Sequence, residues 1–82
     1  MPSNPRQYAR ELRAALLTMD ETTIRALGRK WGVRMAPDAD TFWTSMHKAR
    51  CSMTTMPESA RAESAAWLLE RGMYPGVYRI AS

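Results

Sequence analysis

His47 and Cys51 stand four positions apart in a stretch with helical periodicity, close enough for an imidazole to meet a thiol. A thiolate–imidazole pair is the nucleophile-and-base arrangement these residue types suggest. A working pair also needs a group that orients the base and donors for an oxyanion, and no nearby residue supplies either. The two side chains therefore read as a small polar patch on a helix surface. Metal chemistry finds less support still. With one histidine and one cysteine, a zinc site would need several carboxylates close by, and the sequence has no such cluster. Asp38 and Asp40 open a predicted helix, where acids complement the macrodipole. No glycine-rich phosphate loop is present. The expectation is a protein with no catalytic residue, no metal and no cofactor, one that acts by binding.

Charge says where that binding is expected. Residues 1–34 hold seven of the twelve basic side chains against three acids, whereas residues 35–82 hold five of each. Arg6, Arg10 and Arg13 fall at i, i+4 and i+7, a spacing that lines one helix face, and Leu17 lies within the same stripe. Tyr8, Leu12, Ala15, Leu16 and Met19 gather opposite, so the segment predicts an amphipathic helix. Arg25, Arg29 and Lys30 continue the basic surface on the next helix. Arginine outnumbers lysine ten to two, which suits bidentate contact with phosphate or carboxylate. Trp43 or Trp67 is the expected anchor, because aromatic and arginine side chains dominate binding energy.

The elements that must position these residues are helical. Eighty-two residues make one domain, and the single Cys51 leaves no internal disulfide, so a reduced, cytoplasmic setting is expected. No apolar run approaches the roughly 20 residues of a membrane span, and the N-terminal stretch lacks the apolar core of a signal peptide. Ser3-Asn4-Pro5 predicts a helix start, and the first helix should run from about Pro5 to Leu17. Thr18 and Glu21 match a capping box for a second helix that ends near Trp31, with Gly32 as its left-handed cap. Pro37, Asp38 and Asp40 open a third helix reaching about Ser52. Its apolar face is Phe42, Met46, Ala49 and Met53, with Thr41, Thr44, Lys48 and Cys51 on the far side. Thr55 and Glu58 have capping-box spacing for a fourth helix, to about Arg71 before Gly72. Trp67 and Leu69 lie nearly opposite each other on it, so one of them should be off the core. Val77, Tyr78 and Ile80 predict a short extended C-terminal tail. The fold class is all-α, a compact bundle of about four short helices forming a single domain over residues 1–82.

Two resemblances suggest what such a bundle binds. Thr23 to Val33, with small Gly28, turn Gly32 and apolar Leu27 and Val33, resembles the first helix and turn of a helix-turn-helix DNA-binding unit. The reading helix would then open with Asp38 and Asp40, acids that would face phosphate. The stretches Phe42-Trp43, Met46-His47-Lys48-Ala49-Arg50 and Trp67-Leu68-Leu69-Glu70-Arg71-Gly72 resemble small helical proteins of bacteriophages and prophages. That resemblance implies a non-enzymatic inhibitor of a host defence complex, of the anti-CRISPR kind, acting inside the bacterial cell as a monomer or homodimer. Many such inhibitors mimic DNA with acidic faces; a basic one would dock on an acidic or apolar protein surface, or on a ribonucleoprotein. The rival expectation is a small DNA-binding regulator.

Overall fold

The computed structural model describes residues 4–76. They form four helices and, among the described residues, no strand: α1 (Pro5–Thr18), α2 (Glu21–Trp31), α3 (Ala39–Ser52) and α4 (Glu58–Glu70). The all-α expectation is met. The predicted tail, with Val77, Tyr78 and Ile80, lies outside the described residues, as does Ser3. The chain divides into two compact units, Met1–Pro37, in which α1 packs on α2, and Asp38–Ser82, in which α3 packs on α4.

In the N-terminal unit the Asn4 side chain accepts from the Gln7 N–H at 3.2 Å and Pro5 follows at the first helical position, which starts α1 where the sequence predicts. Its apolar face is also as predicted: Ala15 and Leu16 are buried, with Tyr8, Leu12 and Met19 half-buried. The next corner differs. Helical backbone continues through Thr18, so Thr18 cannot take the extended conformation of an N-cap, and its hydroxyl donates back to the Ala15 carbonyl at 2.7 Å. Met19 turns the chain in the left-handed region, at φ 50°. Asp20 then caps α2, accepting from the Thr23 N–H at 2.9 Å, and Glu21 pairs with Arg25 instead of closing a box. Ile24, Leu27 and Gly28 are buried in this unit, and Trp31 meets Tyr8 edge-on at 6.2 Å.

In the C-terminal unit Asp38 caps α3 through the Thr41 N–H at 2.9 Å, which leaves Pro37 ahead of the helix. Phe42 and Met46 are buried as the spacing predicts. The rest of the buried face is turned from the predicted one: His47, Arg50 and Cys51 are buried, while Ala49 and Met53 are only half-covered. Cys51, expected on the solvent side, is fully enclosed with Ala65 and Leu68, and Ala62, Trp67 and Met73 pack around them. α4 begins at Glu58, and Pro57, which has no side-chain group to offer, occupies the cap position. Arg61 of α4 grips the end of α3, donating to the Cys51 carbonyl from Nε at 3.1 Å and Nη2 at 2.8 Å. Gly72, at φ 72°, closes α4 in a Schellman motif, in which Met73 N–H reaches the Leu68 carbonyl and Gly72 N–H the Leu69 carbonyl. Of the opposed pair, Leu69 is the one left outside, 49% exposed.

Candidate functional site

Three arginines of the N-terminal unit converge where α2 ends. Arg25 and Arg29 are one helical turn apart, and the same turn that stops α2 brings Arg34 back beside them. That turn is a second Schellman motif: Gly32, at φ 66°, lets its own N–H reach the Arg29 carbonyl and the Val33 N–H reach the Gly28 carbonyl at 2.8 Å. Gly28 gives the return room by its lack of a side chain. A Cβ there would stand 3.0 Å from both the Val33 carbonyl oxygen and the Met35 methyl, so a side chain at this position would press the returning chain away from α2 by a few tenths of an ångström. Arg25 fixes the far end of the return, donating from Nη1 to the Ala36 carbonyl at 2.9 Å and from Nη2 to Pro37 at 3.5 Å, while its Nε is paired with Glu21 at 2.8 Å. The result is a notch of about 240 Å³ lined by Arg25, Arg29, Val33, Arg34 and Met35.

The carboxylates of this unit are already engaged. Glu21 holds Arg25, and Glu11 accepts from Lys30 at 2.8 Å, from the Trp31 indole at 3.1 Å and from Gln7 at 2.9 Å. The hydrogen bond from Lys30 and those from Trp31 and Gln7 hold the Glu11 carboxyl down at about 2. Arg29 and Arg34 are exposed and have no carboxylate partner among the described residues.

The predicted basic surface is thus divided. Arg25 and Arg29 are brought together, with Arg34, which lies beyond α2 and outside the helical stripes that spacing marks. Lys30 is drawn to α1 by Glu11. Arg6 and Arg10 are exposed along α1 with Leu17 in the same stripe, and Arg13 is half-buried. An open groove of about 460 Å³ runs between α1 and α2, with Ala14, Ala15, Ala26 and Leu27 among its walls. Its α2 residues face away from Arg25 and Arg29, so groove and notch are separate features. No protein-family model, curated protein or solved structure matches this chain. What the molecule can do is therefore read from its own side chains.

In the C-terminal unit the predicted tryptophans are packed. Trp43 is half-buried, edge-on to Phe42 at 4.9 Å. Trp67 stacks on the His47 ring at 4.2 Å and carries the Arg71 guanidinium on its ring at 3.8 Å. His47 and Cys51 are not the surface patch that their spacing suggests, and they do not pair. Cys51 donates its S–H to the Arg61 carbonyl at 3.7 Å, and burial pushes its thiol up, away from thiolate chemistry. The partner of His47 is Ser64, Nδ1 to Oγ at 2.8 Å. Arg50 donates to the same oxygen at 3.2 Å and to Glu63 at 2.9 Å. Burial, helped by the charge of Arg50, lowers the His47 pKa to about 4, so the ring is neutral at pH 7. Ser64 is fully buried, and a hydroxyl so enclosed packs two helices together rather than attacking a substrate. Its signal was present in the sequence: Ala60, Ser64 and Leu68 repeat every four residues, which marks a buried face with one polar member. Among the described residues no group of three or more His, Cys, Asp or Glu side chains could hold a metal, and no helix is long and apolar enough to cross a membrane.

Proposed function

We propose that this chain is a non-enzymatic binding protein that docks on a phosphate-bearing partner through the arginines of its N-terminal unit. One observation carries the reading: Arg29 and Arg34 stand beside Arg25 in a concave surface, exposed, while the nearby carboxylates are committed elsewhere. Uncompensated arginine in a formed notch is suited to oxyanion recognition, where the guanidinium fork supplies charge and direction together. The partner fitting both this chemistry and the resemblance to phage proteins is a host defence ribonucleoprotein, whose RNA brings the negative charge to a basic inhibitor. The Gly28–Gly32–Val33 turn favours a second reading, a small helix-turn-helix regulator of DNA. Against it, Asp38 and Asp40 stand at the opening of α3, where a reading helix would approach the phosphates.

The test is capture of partners by the tagged full chain from a bacterial host lysate, with and without nuclease and across a salt series. Retention of a nuclease-resistant ribonucleoprotein that is lost steeply as salt rises supports the inhibitor. Recovery of nuclease-sensitive DNA alone favours the regulator. Capture indifferent to salt would remove the arginines from the interface.

A further inference from the structure

We infer that the Arg25–Arg29–Arg34 notch seats a single phosphate group of a nucleic-acid strand; this rests on the reading that the N-terminal unit docks on a phosphate-bearing partner. The argument begins with size. At about 240 Å³ the notch is smaller than the roughly 300–1,000 Å³ clefts that enclose whole small molecules, so it fits one group of a larger partner. Charge follows. Three guanidinium groups line it and one, Arg25, is paired with Glu21, which leaves a surplus of two positive charges for a group bearing one to two negative ones. A carboxylate brings one negative charge and two oxygens in a single plane; a tetrahedral phosphate carries more oxygens, spread in three dimensions, and so better meets forks arriving from two directions.

The division of labour among the three follows from their surroundings. Arg25 spends its Nε and both terminal nitrogens on Glu21, Ala36 and Pro37, so it forms a fixed wall. Arg29 and Arg34 supply the donors. They are placed from opposite sides of the Gly32 turn, one by the last turn of α2 and one by the returning chain, an arrangement that does not depend on the ligand. Val33 and Met35 complete the lining with apolar surface, against which a ribose or base edge attached to the phosphate can lie, methionine being adaptable in such contacts. A strand offers two sources for this chemistry, a terminal monoester and an internal diester.

The experiment uses the full chain in two arms. Inorganic phosphate is titrated while the arginine Nε–H signals are followed by nuclear magnetic resonance, with sodium chloride at matched ionic strength as control. The seat predicts saturable shifts at Arg29 and Arg34 that chloride does not reproduce and that Arg34→Gln abolishes. In the second arm, 5′-phosphorylated and 5′-hydroxyl oligonucleotides of one sequence are compared by fluorescence anisotropy for wild type, Arg29→Gln and Arg34→Gln. Each variant should bind about tenfold more weakly, the order expected when a charge-assisted hydrogen bond is lost. Preference for the phosphorylated strand assigns the terminal monoester; equal binding of the two strands, weakened equally by the variants, assigns an internal diester. Wild-type affinity in both variants overturns the seat while leaving the docking reading intact. Phosphate shifts at Arg29 and Arg34 without oligonucleotide binding at any salt overturn the nucleic-acid source, and with it the docking reading. Shifts no larger than those in chloride overturn the notch as an oxyanion site.

Discussion

In the N-terminal unit Arg29 and Arg34 stand in water beside a braced Arg25, whereas in the C-terminal unit Arg50 is only 4% exposed, its Nη1 divided between Glu63 and Ser64. Both units are pairs of short helices, and both use glycine in a Schellman turn to end one of them. What differs is the lining between the helices. α1 and α2 bury only apolar side chains and glycine between them, with the Glu11–Lys30 pair at the rim, while α3 and α4 enclose a polar set, His47, Ser64 and Arg50, within their contact. The comparison teaches that an arginine's neighbourhood, rather than its presence in the sequence, decides whether it can serve a partner. A buried guanidinium linked to Ser64 and Glu63 is part of a core; an exposed one beside another is a surface with unspent hydrogen bonds.

The largest test of this contrast is steric. Ser64→Leu should destabilise the C-terminal unit by about 3 kcal/mol or more, because it overpacks a fully enclosed position and removes the oxygen shared by His47 and Arg50. Ala14→Leu, which places the same bulk on the open groove of the N-terminal unit, should change stability by less than about 1 kcal/mol. Urea unfolding of both variants checks the pair, and equal losses would erase the distinction between closed and open helix contacts.

Proton linkage comes next. His47 binds its proton less readily folded than unfolded, so stability should decline as pH falls from about 6.5 toward 4 while the unfolded chain gains the proton first. At roughly 1.4 kcal/mol per pH unit the loss approaches about 3 kcal/mol, and His47→Gln should flatten that part of the profile. Glu11, held at about 2, has the same sign at lower pH: the stability its ionised form contributes is lost as pH falls from about 4.5 toward 2. A profile measured by thermal unfolding that keeps its slope between pH 6.5 and 4 in His47→Gln would reassign the effect.

The smallest expected effect is the most discriminating. Arg50 has a buried Nε without a partner, and the carboxylate it pairs with, Glu63, is 71% exposed on its side chain. Replacing it with an apolar residue of similar length abandons no buried charge. Arg50→Met should therefore stay within about 1 kcal/mol of wild type by chemical denaturation, or exceed it. A loss of several kcal/mol would mean that the polar set is itself the source of stability in this unit.

Much of this architecture was legible in the residues. Asn4-Pro5 marks a helix start by a side-chain cap and a fixed φ, Gly32 and Gly72 mark helix ends by the left-handed backbone, and the structure follows them. The apolar face of α1 came from periodicity alone. Periodicity misled at α3, where counting only apolar residues turned the buried face toward Ala49 and Met53; burial there is decided by what α4 presents, and Ser64 makes places for His47 and Arg50. The capping box at Thr18 failed for a local reason, since spacing does not reveal that Thr18 is still helical and that Asp20 holds the cap. Arg25 and Arg29 were legible as a basic pair. Arg34 was not, because its position depends on a close return of the chain past Gly28, which spacing within one helix cannot express.

The left-handed corner at Met19 bears on motion. A glycine there would have broad conformational freedom and act as a hinge, letting α1 swing on α2. Methionine at φ 50° sits in a small, steep-walled region of backbone space, reached at a cost of roughly 1–2 kcal/mol and left only by a large rotation. Its half-buried side chain further ties the corner to the unit's interior. The angle between α1 and α2 is thereby restrained at the corner itself rather than left to whatever lies in the groove between them.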